Sequence, residues 1–313
     1  MERFTEKIRL KAKINPQTIV FPEADDKRVV QAVKIIEREK IADPILLSKD
    51  KIKPAQIEEF AADYFERKKH KGITLDQARE MMQDPIYYGA MMVRTGRAKG
   101  FVAGAQYTTA AVVRSAIQCL NIKKEYGLVS SCFVMAVPDC RFGAEGVFVY
   151  ADCGVIPYPT SDQLASISIA AARFARDVLQ VEPKVALLSF STKGSAEGKS
   201  VIKVRQALEA IKARTDEFAV DGEIQSDAAI VPAVAQIKAP DSKVAGQANV
   251  LIFPSLDAGN ICYKLTQRLA KAKAWGPIVL CTEEPCSDLS RGCSVDDIVD
   301  ATAITVIRAQ TGV

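Results

Sequence analysis

The segment Asp288-Leu289-Ser290-Arg291-Gly292-Cys293-Ser294-Val295-Asp296-Asp297 gathers residues that can do chemistry on an anion. Arg291 beside Gly292 puts a planar guanidinium where backbone can approach a ligand closely. Ser290 and Ser294 supply hydroxyls. A helix opening here adds unpaired N–H groups and partial positive charge. Asp297 stands three residues after Ser294, the S-x-x-D spacing of a helix cap. The same carboxylate can serve as a base, and spacing alone favours the cap. Cys293 beside Arg291 is either a low-pKa thiol or a buried spectator, and the lack of a nearby histidine favours the spectator. The chain has one histidine, His70, inside the basic run Arg67-Lys68-Lys69-His70-Lys71. A Ser–His or Cys–His couple would have to use it, so a carboxylate is the expected general base.

Other segments offer weaker signals. Thr108-Thr109 precede a helix that carries Arg114, and hydroxyls at a helix start suit an anion. Simple capping by either threonine is the commoner use. Arg114 either grips a phosphate through its fork or stands in solvent. Leu256 to Lys264, with Asp257, Asn260, Tyr263 and Lys264, follows a buried strand, where a parallel sheet places ligands. Asp257 also reads as a helix cap. Gly194-Ser195-Ala196-Glu197-Gly198-Lys199-Ser200 looks like a phosphate loop but has three residues between its glycines instead of four. The missing residue alters the nest of N–H groups, so a glycine turn that packs strand on helix is the better reading. No G-x-G-x-x-G is present.

These segments lie on alternating strands and helices. Thr18 to Phe21, Pro44 to Leu47, Phe101 to Gly104, Val185 to Phe190, Val250 to Phe253 and Ile278 to Leu280 read as strands. Helices are expected from Asp25, from Pro54 to Lys71, from Leu75 to Thr95, after Thr109, from Thr160 to Leu179, from Lys199 to Arg214, from Asp257 to Lys271 and from Ser294 to Gln310. Thr160 to Gln163 matches a capping box. Two strands, Val129 to Val137 and Gly146 to Asp152, follow one another without a helix, which breaks the alternation. The pattern predicts an α/β protein of two domains with mostly parallel sheets flanked by helices: residues 1–128 with 277–313, and residues 129–276.

The bulk numbers agree with such a fold. At 313 residues the chain exceeds the usual size of one domain, and 48% hydrophobic with 26% charged residues is an ordinary globular composition. The net charge of +4, from 42 basic and 38 acidic residues, is too balanced to imply a nucleic-acid partner. The N-terminus lacks the apolar core of a secretory signal, and no run of about 18 apolar residues exists to span a membrane. Both point to the cytoplasm. The eight cysteines include no C-x-x-C pair. Neither a disulfide framework nor a structural metal is expected, and most thiols should be buried packing groups.

Taken together, several segments resemble the phosphate acetyl/butyryltransferase family in their order along the chain. They are Phe21-Pro22-Glu23, Asp43-Pro44, Thr108-Thr109 with Arg114, Ala151-Asp152-Cys153, Pro157 with Pro159-Thr160, Asp221-Gly222-Glu223, Phe253 to Lys264, and Asp288 to Ser294. The resemblance spans essentially the whole chain. It implies phosphate acetyltransferase chemistry, acetyl-CoA plus phosphate in equilibrium with CoA plus acetyl phosphate. It also implies an isocitrate/isopropylmalate dehydrogenase-like architecture with the site in the interdomain cleft, a homodimer, no metal, and no permanently bound cofactor, with coenzyme A as substrate. Carried over by motif, Ser290 and Arg291 contact the phosphate and Asp297 is the base for the CoA thiol. Thr108, Thr109, Arg114, Asn260, Tyr263 and Lys264 become substrate-binding residues. Three departures bear on the pocket. Cys281-Thr282-Glu283-Glu284 brings two carboxylates near the expected anion site, Ser287 stands where Asn is common, and Ile156 and Tyr158 replace asparagines. The alternatives are a phosphate butyryltransferase and a non-catalytic acetyl-CoA-sensing module. The acetyl-type Asp152-Cys153 and Pro157-x-Pro159-Thr160 elements argue against the first, and retention of Ser290, Arg291 and Asp297 against the second.

Overall fold

The computed structural model of the chain describes residues 2–312. They form two compact units, Arg3–Ile122 with Thr282–Gly312, and Lys123–Cys281. The seams lie at 122/123 and 281/282, against 128/129 and 276/277 from the sequence pattern.

The first unit opens with α1 (Glu2–Ala12), β1 (Thr18–Phe21), α2 (Lys27–Glu39), β2 (Asp43–Leu46), α3 (Pro54–Lys68), α4 (Leu75–Met81), α5 (Pro85–Arg94), β3 (Gly100–Ala103) and α6 (Thr109–Cys119). Val29, Ala32, Val33 and Ile36 recur at helical spacing and form the buried face of α2. The single helix expected from Leu75 to Thr95 is two helices. Asp84 caps a new start by accepting from the Ile86 amide, and Pro85 takes the first helical position, where a missing N–H costs nothing.

The second unit contains β4 (Ser130–Ala136), β5 (Val147–Ala151), α7 (Ser161–Asp177), β6 (Lys184–Leu188), α8 (Lys199–Arg214), β7 (Ala219–Ile224), α9 (Ser226–Ile230), α10 (Pro232–Lys238), β8 (Val250–Ile252), α11 (Leu256–Leu269) and β9 (Lys273–Leu280). β4 pairs antiparallel with β5 and β9, while β5, β8, β6 and β7 run parallel in that order. Phe133, Met135, Phe148, Tyr150, Leu251 and Phe253 contribute to its core. The strand expected from Ile278 to Leu280 starts earlier, at Lys273, so Gly276-Pro277 lies inside β9. The register with β4 slips there, so proline's missing donor falls at a bulge rather than in the ladder.

The chain then completes the first unit with β10 (Cys286–Asp288) and α12 (Val295–Thr311). The strand order in this unit is β2-β1-β3-β10, all parallel. α12 is buried from Ile298 to Arg308 and packs on β1, β3, β10 and α2. Parallel pairing gathers the loops after β1, β3 and β10 at one edge, which is where such sheets hold ligands. No described helix is long and apolar enough to cross a membrane. Among the described residues, no group of three or more His, Cys, Asp or Glu can hold a metal ion.

Candidate active site

The loop after β10 is a tight turn that runs straight into α12. The Cys293 amide donates to the Ser290 carbonyl at 2.8 Å, and the Gly292 amide donates to Ser290 Oγ at 3.2 Å. Ser294 then caps α12. Its Oγ accepts from the Asp297 amide at 3.1 Å, and Asp297 Oδ2 accepts from the Ser294 amide at 2.8 Å. This reciprocal pair satisfies two orphan N–H groups, so the capping reading of Asp297 is correct as structure. Asp297 Oδ1 makes no hydrogen bond among the described residues. Ser290 and Arg291 are exposed, and the Arg291 side chain has no hydrogen bond or ion pair among the described residues. Gly292 needs no left-handed backbone, and a Cβ there would meet only Ser290 Oγ at 3.8 Å. Cys293 is buried, and burial raises its thiol pKa to about 11, away from the thiolate form that a nucleophile needs.

Two charged side chains that follow β1, Glu23 in the loop and Arg28 in the first turn of α2, hold this region together. Glu23 is buried, and its carboxylate accepts from four successive backbone amides of the β3–α6 loop. Oε2 takes those of Gly104 and Ala105 at 2.9 and 3.0 Å, and Oε1 those of Gln106 and Tyr107 at 2.6 and 2.9 Å. Tyr107 adds a hydroxyl bond of 2.6 Å to Asp84. Arg28 binds Asp26 through two nitrogens, at 3.1 and 2.7 Å, and holds that carboxyl below the usual carboxylate range. It also donates to the carbonyls of Ala105, Arg291 and Cys293 at 2.8, 2.8 and 3.0 Å.

The remaining residues predicted from sequence occupy two places. In the first unit, Thr108 caps α6 by accepting from the Ala111 amide at 3.2 Å, Thr109 is the first helical residue, and Arg114 is exposed and unpaired among the described residues. In the second unit, α11 begins at a Ser255 cap, so Asp257 is not the cap and lies exposed in the first turn. The earlier hydroxyl wins because Ser255 Oγ reaches the Ala258 amide from the N-cap position. Asn260 donates to the Cys153 carbonyl at 3.1 Å, and a Cβ on Gly259 would fall 2.4 Å from the Asp152 carbonyl oxygen. The Asp152 and Asn260 motifs therefore meet, and only glycine allows it. Tyr263 stacks on Phe133 with ring centroids 4.0 Å apart, and the exposed Lys264 lies 5.8 Å over the Tyr263 ring. The glycine-rich decoy is no phosphate cradle. The Gly194 amide donates to Glu223 at 2.9 Å, while Arg205 and Ser191 also bind that carboxylate.

Residues 3–306 match the phosphate acetyl/butaryl transferase family. A phosphate acetyltransferase of Thermoanaerobacterium thermosaccharolyticum is 48% identical, over 96% of this chain and 97% of that one. One of Acetivibrio thermocellus is 46% identical over 98% of both. Among solved structures, a phosphotransacetylase from Streptococcus pyogenes superposes with a TM-score of 0.92 at 38% identity, covering 99% of each chain. The chain belongs to the phosphate acetyl/butaryl transferase family. Neither of the tying residues, Glu23 and Arg28, was marked as functional by the sequence pattern. Glu23 lies in one of the segments that carry the family resemblance, but its four partners are amides, which no side-chain motif reports.

The departures from the family pattern are also placed. Glu284 accepts from the amide and side chain of Asn121, both at 3.0 Å. It precedes β10, whereas Ser290 follows it. The acidic pair Glu283-Glu284 is thus at the opposite end of the strand from the turn, and the expectation of two carboxylates near the anion site is corrected. Ser287 pairs with the Thr305 hydroxyl at 2.7 Å inside the unit. The Ile156 amide donates to Asp152, and Tyr158 is exposed.

Asp288 is a buried carboxyl with neither oxygen hydrogen-bonded. Burial pushes its pKa up to about 7, aided by repulsion from Glu23. The Thr109 hydroxyl and Leu289 amide lie close enough to lower it, yet neither meets hydrogen-bond geometry. A raised carboxyl pKa means the folded state holds its proton where the unfolded state has lost it. Stability therefore falls as pH rises from about 4 to about 7, by up to about 1.4 kcal/mol per unit. Urea unfolding across this range should show that fall in the wild type relative to Asp288→Asn. Parallel pH profiles for the two proteins would contradict it.

Proposed function

We propose that this chain is a phosphate acetyltransferase that moves an acetyl group reversibly between coenzyme A and inorganic phosphate. The observation that carries this reading is full-length membership of the family at 46–48% identity to enzymes named for that reaction. The Ser290–Asp297 turn supplies matching chemistry. Ser290 and Arg291 bind the phosphate or acetyl phosphate, with the α12 N-terminus adding partial positive charge. Asp297 takes the proton from the CoA thiol. A thiol of ordinary pKa is only a few per cent ionised at neutral pH, so a positioned base is worth roughly 10²- to 10⁴-fold. The capping box and the base role are compatible, because Oδ2 fixes the carboxylate while Oδ1 receives the proton. The thiolate sulfur then attacks the acetyl carbonyl carbon of acetyl phosphate. Arg291 stabilises the charge that builds in the tetrahedral intermediate. The carbon–oxygen bond to phosphate breaks, phosphate leaves as an anion, and acetyl-CoA forms. Direct transfer in a ternary complex needs no covalent enzyme intermediate.

Thr108, Thr109, Arg114, Asn260, Tyr263 and Lys264 complete the substrate contacts in this reading. Arg114 is suited to it by its free guanidinium. The finer fold is isocitrate/isopropylmalate dehydrogenase-like, which the parallel strands and flanking helices of each unit support. The enzyme works as a homodimer in the cytoplasm. Exposed Ile261, Leu265 and Leu269, at four-residue spacing on α11, offer an apolar stripe for a second copy. None of the eight cysteines is in a disulfide among the described residues, in keeping with a reducing compartment.

The decisive assay follows CoA release from acetyl-CoA and butyryl-CoA, with and without phosphate or arsenate. Release should require the anion and prefer the acetyl ester. Anion-independent release would sink the reading, and preference for butyryl-CoA would favour a phosphate butyryltransferase. Within that assay, Arg291→Ala should lose roughly 10²- to 10³-fold in kcat, and Asp297→Asn at least about 10²-fold. Near-normal turnover in Asp297→Asn would leave Asp297 as a cap alone.

A further inference from the structure

We propose that Arg28 is a positioning residue for acyl transfer, which sets the place of Arg291 by gripping its backbone. The inference rests on the reading of Arg291 as the anion-binding group. Arg28 follows β1 and opens α2, far from the β10–α12 turn in sequence, and no motif joins the two.

A guanidinium carries five N–H donors, and in Arg28 all five are committed. Nε donates to Asp26 Oδ1, and Nη2 divides its donors between Asp26 Oδ2 and the Ala105 carbonyl. Nη1 divides its donors between the carbonyls of Arg291 and Cys293. None is left for a substrate, so any effect of Arg28 on turnover passes through the groups it holds. Those groups lie on the loops that follow the neighbouring parallel strands β1, β3 and β10. The two carbonyls on Nη1 flank Gly292, the residue of the turn with least intrinsic restraint. The Arg291 side chain itself has no partner among the described residues, so the backbone alone decides where its guanidinium starts from.

Asp26 fixes the geometry of the clamp from the other side. Its carboxylate caps α2 by accepting from the Arg28 amide at 2.8 Å while it binds the Arg28 side chain. The guanidinium is therefore anchored to a helix start before it reaches across to the turn. Lysine cannot replace it. An ammonium has three donors and no planar fork, so it cannot bridge a carboxylate and three carbonyls at once.

The test is a double-mutant cycle on phosphate-dependent acetyl transfer, with wild type, Arg28→Ala, Arg291→Ala and the double variant, at temperatures below each variant's Tm. Arg28→Ala should lose about 10²-fold in kcat, as expected when a reacting group is displaced by about 1 Å. In the Arg291→Ala background the same change should cost less than about threefold, because there is no longer a guanidinium to misplace. Losses that multiply in the double variant would overturn the proposal and leave Arg28 as a structural tie. Wild-type turnover in Arg28→Ala would also overturn it. If Arg28→Ala does not fold, the cycle is run with Arg28→Lys, which keeps the charge and loses the fork, and the same two outcomes decide. Arg291→Ala alone reports on the anion-binding reading. Full activity there refutes that reading and this inference with it, whereas a slow Arg291→Ala with multiplicative losses refutes only the inference.

Discussion

Four successive backbone N–H groups, from Gly104 to Tyr107, converge on the Glu23 carboxylate, and the geometry of the first unit's loop edge follows from that contact. Burying a carboxylate costs several kcal/mol unless it is fully hydrogen-bonded. Four amide donors meet that requirement. Each such bond to a charged group is worth about 1.5–3 kcal/mol, so the loop has little freedom to take another shape. The fixed loop presents the Ala105 carbonyl to Arg28, and Arg28 passes the constraint to Arg291 and Cys293. A carboxylate after β1 thus influences a turn after β10 through one guanidinium.

Order at this edge coexists with an unfavourable group. Asp288 ends β10 with both oxygens buried and unbonded, close against Gly104, where an added Cβ would fall 2.2 Å from its Oδ1. Glycine at position 104, with φ of +112°, is what lets the strand end and the loop come so close. Neutralisation is the cheapest way to keep such a carboxyl buried, and its raised pKa expresses that. Asp297 differs in kind. It sits at a helix start, keeps one oxygen on a capping amide and leaves the other unbonded among the described residues. Burial separates the two carboxyls, although both lie within ten residues of sequence.

Much of the framework was legible because it rests on local signals. β1, α8 and the Ser294 start of α12 follow directly from apolar runs, helical periodicity and the S-x-x-D spacing. β10 was not legible. Cys286-Ser287-Asp288 has neither an apolar run nor alternation, and it becomes a strand only because β3 offers a parallel partner. β7 lacks a strand signal for a similar reason, since Asp221-Gly222-Glu223 interrupts its apolar pattern. In the candidate site, Ser290 and Arg291 stand out by residue type, and Asp297 by its capping spacing, while its role as a base comes only from the family resemblance. Glu23 and Arg28 do not stand out, because they bind main-chain atoms distant in sequence, and composition carries no trace of that.

If the Glu23 tie positions the Ser290–Asp297 turn for the proposed chemistry, the kcat of Glu23→Gln measures that dependence most directly. Gln replaces one acceptor oxygen with an amide NH₂ that faces two donors, while keeping size and shape. Measured well below the variant's Tm, kcat for phosphate-dependent acetyl transfer should fall at least about tenfold. A lowered Tm with wild-type kcat would contradict the account, since the loop would then be a stability element with no hold on the chemistry.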